Sequence, residues 1–181
     1  MNTGTLLVAT PSVMGDVNFH RAVVLLVNHK DSGSIGFIIN KKIEYTLDEV
    51  MDGVQSKQPL YFGGPVEPDN LFYIHTLGNQ ISNSIPITES LYWNGDFEQV
   101  IQLMDAGKLN PDHIRFFLGY SGWSEGQLEA ELEDKSWEPF SVKSPLELIK
   151  MPTEQMWQEC MATLGGSYLL WSNAPDNPSF N

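Results

Sequence analysis

Apolar positions along this chain fall in short blocks separated by turn-forming residues, a pattern of strands more than of long helices. Thr5–Ala9 reads as a strand that stops before Pro11. Ala22–Val27 (AVVLLV) is a continuous apolar run, short and rich in β-branched residues, and suits a strand buried on both faces. Lys30-Asp-Ser-Gly-Ser34 follows as a turn, because Asp and Ser bond back to the backbone and Gly permits positive φ. Ile35–Asn40 then returns as the second arm of a hairpin. Leu60–Phe62 and Leu71–His75 read as strands around Gly63-Gly64-Pro65. His113–Leu118 is another, ending in the glycine-rich Gly119-Tyr-Ser-Gly-Trp123, which reads as a turn leading into a helix. Glu138–Val142 and Ser167–Ser172 complete the expected strands.

Helix signals lie between these blocks. Thr46 and Glu49 have capping-box spacing, in which hydroxyl and carboxylate reciprocally satisfy amide donors. Asp96 is a good N-cap for a helix with Phe97, Val100, Ile101 and Met104 on one face, stopped at Gly107. Ser124 and Gln127 form a second capping box, opening a helix through roughly Glu133. Thr153 is placed to cap a helix bearing Met156, Trp157, Cys160, Met161 and Leu164, which Gly165-Gly166 ends. The early strands follow one another directly, so an α+β domain with a mostly antiparallel sheet is expected rather than a doubly wound parallel one. Nothing in the pattern divides the chain, so residues 1–181 are expected to form one domain with an irregular tail over 173–181.

Charge narrows the partners. With 10 basic against 23 acidic residues the formal charge is −13, and nucleic-acid phosphates are repelled on average. Arg21 and Arg115 are the only arginines, so the bidentate reading of guanine has little material. Anionic membrane surfaces are disfavoured for the same reason, and no apolar stretch approaches the length of a span. The amino terminus lacks the basic region and apolar run of a signal peptide, and Cys160 is the only cysteine. A cytoplasmic location is expected, with no direct nucleic-acid or membrane partner.

Motifs that could carry chemistry each have a plainer structural reading. Ser121 sits where a nucleophile elbow would place its serine, but that motif needs Gly two residues later, and Trp123 stands there. Gly63-Gly64-Pro65 could form an anion-binding nest, but a bend between strands is the favoured reading, since a diglycine alone carries little functional information. His20, His29, His75 and His113 have no metal-ligand spacing, so no metal site and no cofactor are expected. Glu125, Glu129 and Glu133 recur along one helix face, the usual mark of a solvated surface. Cys160 falls at helical spacing with apolar neighbours and reads as core.

Taken together, several blocks resemble the AlgH/YqgE family. Gly4-Thr-Leu-Leu-Val-Ala-Thr-Pro11 with Asp16 and Phe19 is similar to its amino-terminal motif. So are Asn28-His29 through Gly33, Gly36–Asn40, Gly63–Val66, and Gly119–Trp123 with Gly126-Gln-Leu128, Glu131 and Leu132. The resemblance runs from Gly4 to about Trp171 and implies a compact α+β fold with a bent, partly barrel-like sheet. It supplies no established catalytic residues. The family's label as a transcriptional regulator comes from a genetic association with alginate production, not from a DNA-binding fold.

Two functions are weighed. The first is a non-catalytic binding or regulatory module, acting on transcription indirectly if at all, with a protein or small ligand as partner and the oligomeric state open. The second is an enzyme whose pocket is assembled from Asn40, Gly63, Gly64, His75, Tyr120 and Trp123, and their convergence on a concave site would favour it.

Overall fold

The computed structural model describes residues 1–141, 145–150 and 152–174. Its apolar blocks pair into one curled, unclosed sheet of ten strands. The chain runs β1 (Leu6–Ala9), β2 (Val23–Lys30), β3 (Gly33–Ile38), β4 (Lys42–Thr46), α1 (Leu47–Val50), β5 (Pro59–Phe62), β6 (Val66–His75), β7 (Ile85–Pro86) and β8 (Tyr92–Trp93). It continues through α2 (Phe97–Asp105), β9 (Ile114–Ser124), α3 (Gln127–Glu133), β10 (Trp137–Phe140), α4 (Pro145–Lys150), α5 (Met156–Leu164) and α6 (Tyr168–Ser172). The main strand order is β10-β1-β2-β3-β9-β6-β8-β7, with β4 on β5 and β5 on β9. Pairing is antiparallel except between β5 and β9.

The apolar run at 22–27 is buried throughout because β2 has a core on each side. Val23, Leu25 and Val27 pack with Met156, Trp157, Cys160 and Met161 of α5. Val24 and Leu26 face Trp123, Leu128 and Trp137. A third cluster joins Leu47, Leu60, Tyr73, Val100 and Phe116 beneath α1 and α2. Cys160 belongs to the first cluster, where burial pushes its thiol up to about 12, as a core residue requires. Local caps follow the chemistry expected: the Thr46 amide donates to Glu49 Oε2 at 2.8 Å, and the Glu98 amide donates to Asp96 Oδ1 at 3.1 Å.

Four readings are corrected. Gly119–Trp123 is not a turn but belongs to the outer half of β9, a strand that continues through Ser124. Its glycines answer tertiary demands: Gly119 has φ +69, and a Cβ there would meet the Gly64 and Val66 carbonyls under 3.0 Å. The α3 helix starts after Gly126, at φ +72, rather than at a Ser124 cap. The Ser124 amide still donates to Gln127 Oε1 at 3.0 Å, so the spacing was meaningful while the boundary moved. Ser167–Ser172 is helix α6 rather than a strand. Gly165 (φ +70) and Gly166 (φ +57) reverse the chain so that this short apolar run folds back along α5, and such a run has no periodicity to separate the two outcomes. The helix over Met156–Leu164 is present, with Gln155 rather than Thr153 at its cap. The expected strand over 138–142 forms as β10, Val142 lying outside the described residues, as does the tail from 175.

Candidate functional site

The β2–β3 hairpin closes on Asp31-Ser32, with Lys30 opposite Gly33, and β3 then pairs with the outer half of β9. Its ladder is irregular at one place. Leu26 opposes Gly36 and Asn28 opposes Ile35, so β2 carries an extra residue there. Paired residues share a face of the sheet, and such a bulge therefore re-aims the side chains beyond it. Asn28 and Lys30 are turned onto the face of Ile35, and Ile35 in turn opposes Gly122 of β9. Tyr120 lies two residues before Gly122, hence on the same face, and pairs with Val66.

These residues enclose a cleft of about 450 Å³, within the usual size of small-molecule sites. Gly122 is exposed at its floor and is not at positive φ, so its missing side chain matters for space. A Cβ there would project to 3.3 Å from Tyr120 Cε2 and 3.7 Å from Val66 Cγ2. The Tyr120 ring is held edge-on to Phe72, with centroids 5.6 Å apart. Asn28, Lys30 and Tyr120 have no side-chain hydrogen bond or ion pair among the described residues, although all three line the cleft.

The other face of the same strands is fully engaged. Trp123 is 6% exposed and donates its indole N–H to Glu131 Oε2 at 2.9 Å, and Trp137 donates to the same oxygen at 2.7 Å. Gln127 Nε2 holds the second carboxylate oxygen at 2.9 Å. Ser34 Oγ and His29 Nδ1 are 2.8 Å apart, and His29 Nε2 lies 3.9 Å from Glu129 Oε1. This Ser–His–Glu order resembles a catalytic relay, but His29 pairs with Ser34 and Ser34 with Trp123, which turns their side chains to the α3 side; Ser34, like Trp123, borders the cleft as part of its strand. A nucleophile needs a substrate site in front of it. Ser121 is also unsuited, being fully buried with its hydroxyl donating to the Gly63 carbonyl at 3.1 Å.

Of the six residues proposed from sequence for a pocket, Tyr120 and Trp123 border this cleft, Trp123 as part of its strand. The other four do not line it. Asn40 closes the base of the hairpin, accepting from the Val23 amide at 2.8 Å and donating to the Arg21 carbonyl at 2.9 Å. Gly63 and Gly64 allow backbone to cross backbone at Gly119–Ser121. His75 is fully buried, its Nδ1 accepting from the Leu77 amide at 3.3 Å, which assigns the proton to Nε2. That N–H faces the Asn94 carbonyl at 3.0 Å and Ser84 Oγ at 3.1 Å, and Ser84 itself donates to the Ile81 carbonyl. His75 is thus a donor to its neighbours and not a base for Ser84. Asn28, Lys30 and Gly122 were missed as site residues; the one trace in sequence is a polar pair, Asn28-His29, abruptly ending the apolar run.

Burial lowers the pKa of His75 below its ordinary value. The unfolded chain then binds the proton more readily, so stability from the neutral ring is full above the unfolded value, about 6.5, and declines as pH falls below it. Urea unfolding followed from neutral to mildly acid pH should show a steeper loss for the wild type than for His75→Gln. Equal slopes would exclude His75 as a source of acid sensitivity.

A second hollow of about 400 Å³ lies where Lys42, Asp112, Arg115 and Glu154 meet. Arg115 is 5% exposed, sits 4.7 Å over the Tyr61 ring, and donates to the Ile39 and Ile149 carbonyls. It ties α4 to the sheet. Arg21 donates to the Ala174 carbonyl at 2.7 Å and lies 4.9 Å over Trp157. Among the described residues no group of His, Cys, Asp and Glu is arranged to hold a metal ion, and no helix is long and apolar enough to cross a membrane.

The sequence profile described as AlgH-like matches residues 6–169. A UPF0301 protein of Cytophaga hutchinsonii is 42% identical over 183 residues, covering 100% of both chains. Another, from Bacteroides thetaiotaomicron, is 39% identical and covers 98% of this chain and 90% of its own. Among solved structures, the solution structure of the AlgH protein from Pseudomonas aeruginosa has a TM-score of 0.74 at 30% identity, covering 96% of this chain and 94% of that one. A crystal structure of a Corynebacterium diphtheriae protein has a TM-score of 0.78 at 22% identity and shares the fold, covering 96% and 93%.

Proposed function

This chain belongs to the AlgH-like family, and from that premise we propose that it is a cytoplasmic, non-catalytic binding module whose ligand sits in the cleft between the β2–β3 hairpin and β9. One observation carries the reading. Asn28, Lys30 and Tyr120 surround a floor left open by Gly122, and their polar ends have no partner among the described residues. Polar groups converging on a hollow are what a specific small-molecule site supplies, with the apolar walls giving most of the burial.

A thermal-shift screen of small metabolites against the full chain tests this. A ligand at a hundredfold excess over its Kd adds about 2.7 kcal/mol to stability, which for a chain of this size raises Tm by roughly 5–10 °C. The same ligand should lose its effect on Gly122→Val, whose side chain occupies the floor. A shift unchanged in that variant would place the ligand elsewhere and remove the support for the cleft.

Any influence on transcription would run through that ligand or a protein partner. Both arginines are buried and engaged within the fold, and the net charge is −13. Anisotropy measurements on duplex DNA should give nothing tighter than the non-specific range, roughly 10⁻⁴–10⁻⁶ M. A nanomolar complex that discriminates between sequences would contradict the indirect role.

A further inference from the structure

We propose that the cleft is an oxyanion site, taking a small molecule with a phosphate monoester or carboxylate on an apolar or aromatic body. The inference rests on the binding-module reading and gives it a ligand class.

The charge pattern is the first ground. Acidic residues outnumber basic ones 23 to 10, yet the lining of this cleft contains Lys30 and no Asp or Glu. The neighbouring acids of the chain are used elsewhere or lie off the lining; Glu129 and Glu131 belong to the opposite face with His29 and the two indoles. A lone exposed lysine is ordinarily a solvated surface charge. Here it is joined by groups that the fold has aimed at the same space.

Donor capacity is the second ground. The bulge in β2 turns the half-buried Asn28 amide toward the cleft beside Lys30. Tyr120 and Ser32, each of which carries a hydroxyl, line it as well. An ammonium has three donors and no acceptor, an amide NH₂ has two, and each hydroxyl has one. Such a set is matched by oxygens carrying negative charge, and bonds to ionised groups are roughly twice as strong as neutral ones. A cationic ligand would meet Lys30, and a neutral one would leave its ammonium without a counter-charge.

Shape is the third. Ile35, Val66 and the Tyr120 ring supply apolar wall, and Gly122 opens the floor between them. The ligand's carbon body belongs against that wall, with its charged end toward Lys30 and Asn28.

The experiment is an amide NMR titration of the full chain with three probes that share a phenyl ring: phenyl phosphate, phenylacetate and benzyl alcohol. At least one anion should shift the amides of Lys30, Ser32 and Gly122 saturably, and which of the two binds tighter separates phosphate from carboxylate recognition. Lys30→Gln should weaken that binding about tenfold or more, the scale of losing a charged hydrogen bond. Lys30→Arg should retain most of it, and Asn28→Ala should weaken it several-fold, each with a well-dispersed spectrum. Benzyl alcohol binding as tightly as the anions, or an unaltered Lys30→Gln variant, would overturn the oxyanion assignment while leaving a ligand cleft intact. If neither anion perturbs the cleft but the metabolite screen finds a Gly122-sensitive ligand, the assignment also fails alone. If both experiments are blank, the binding-module reading falls with it.

Discussion

Glu131→Ala should destabilise the protein by about 2–4 kcal/mol, whereas Glu131→Gln should cost about 1 kcal/mol. The difference follows from how one carboxylate is shared. The indole N–H groups of Trp123 and Trp137 both donate to Glu131 Oε2, at 2.9 and 2.7 Å, and the two rings meet edge to face with centroids 5.9 Å apart. Trp123 and Trp137 are 6% and 2% exposed, so alanine leaves two buried donors without an acceptor. Each such orphan costs about 1–3 kcal/mol, offset in part by water entering the space of a half-buried side chain. Glutamine keeps one oxygen able to accept from both rings. It loses the charge assistance and turns an NH₂ toward Gln127 Nε2, which now donates to Oε1 at 2.9 Å. Urea unfolding read by tryptophan fluorescence checks the order. Equal losses in the two variants, or an alanine variant within about 0.5 kcal/mol of wild type, would mean that the shared carboxylate is not what fixes this corner.

That clamp also explains why the fold was easier to read from the sequence than the site. Blocks such as Leu6–Ala9 and Val23–Val27 announce themselves because burial on two faces demands uninterrupted apolar residues, and their partners follow from short connections. Trp123 and Tyr120 stood out as aromatic residues in a glycine-rich stretch, yet the two face opposite sides of β9 and serve different ends. Local rules made that stretch a turn, because glycine is common in turns. Its real cause is non-local: a positive φ at Gly119 and an open floor at Gly122. Asn28 and Lys30 were missed as site residues for a related reason. Strict alternation places Asn28 with Leu26 on the α3 side, and only the bulge between them, which no local pattern encodes, moves it to the cleft. Asn40 and His75 were grouped from sequence into a candidate pocket, and they turn out to satisfy backbone groups instead, as the Val23 amide and Asn94 carbonyl show.

The glycines themselves separate structure from function by substitution. Gly64→Ala should cost about 4 kcal/mol or more, while Gly122→Ala should stay within about 1 kcal/mol of wild type and still weaken cleft binding. At Gly64 two penalties coincide. Its φ is +151, a conformation that L residues rarely adopt, and its Cβ would fall under 3.0 Å from the Tyr120 carbonyl and the Ser121 amide. Those atoms are backbone in the middle of β9, the strand that pairs with β3, β5 and β6, so they cannot yield without shifting the sheet. The loss should therefore appear as global unfolding, or as failure to recover folded protein, with Ser121 no longer bonded to the Gly63 carbonyl. At Gly122 the φ is not positive, and the atom nearest to an added Cβ is Tyr120 Cε2, the far part of a ring that can give by a few tenths of an ångström. Parallel melts and phenyl phosphate titrations of the two variants decide the matter. A Gly64→Ala protein as stable as wild type would refute the close crossing of β9 by the 63–64 segment. A Gly122→Ala protein that unfolds like Gly64→Ala would show that this glycine, too, serves packing rather than the open floor of a site.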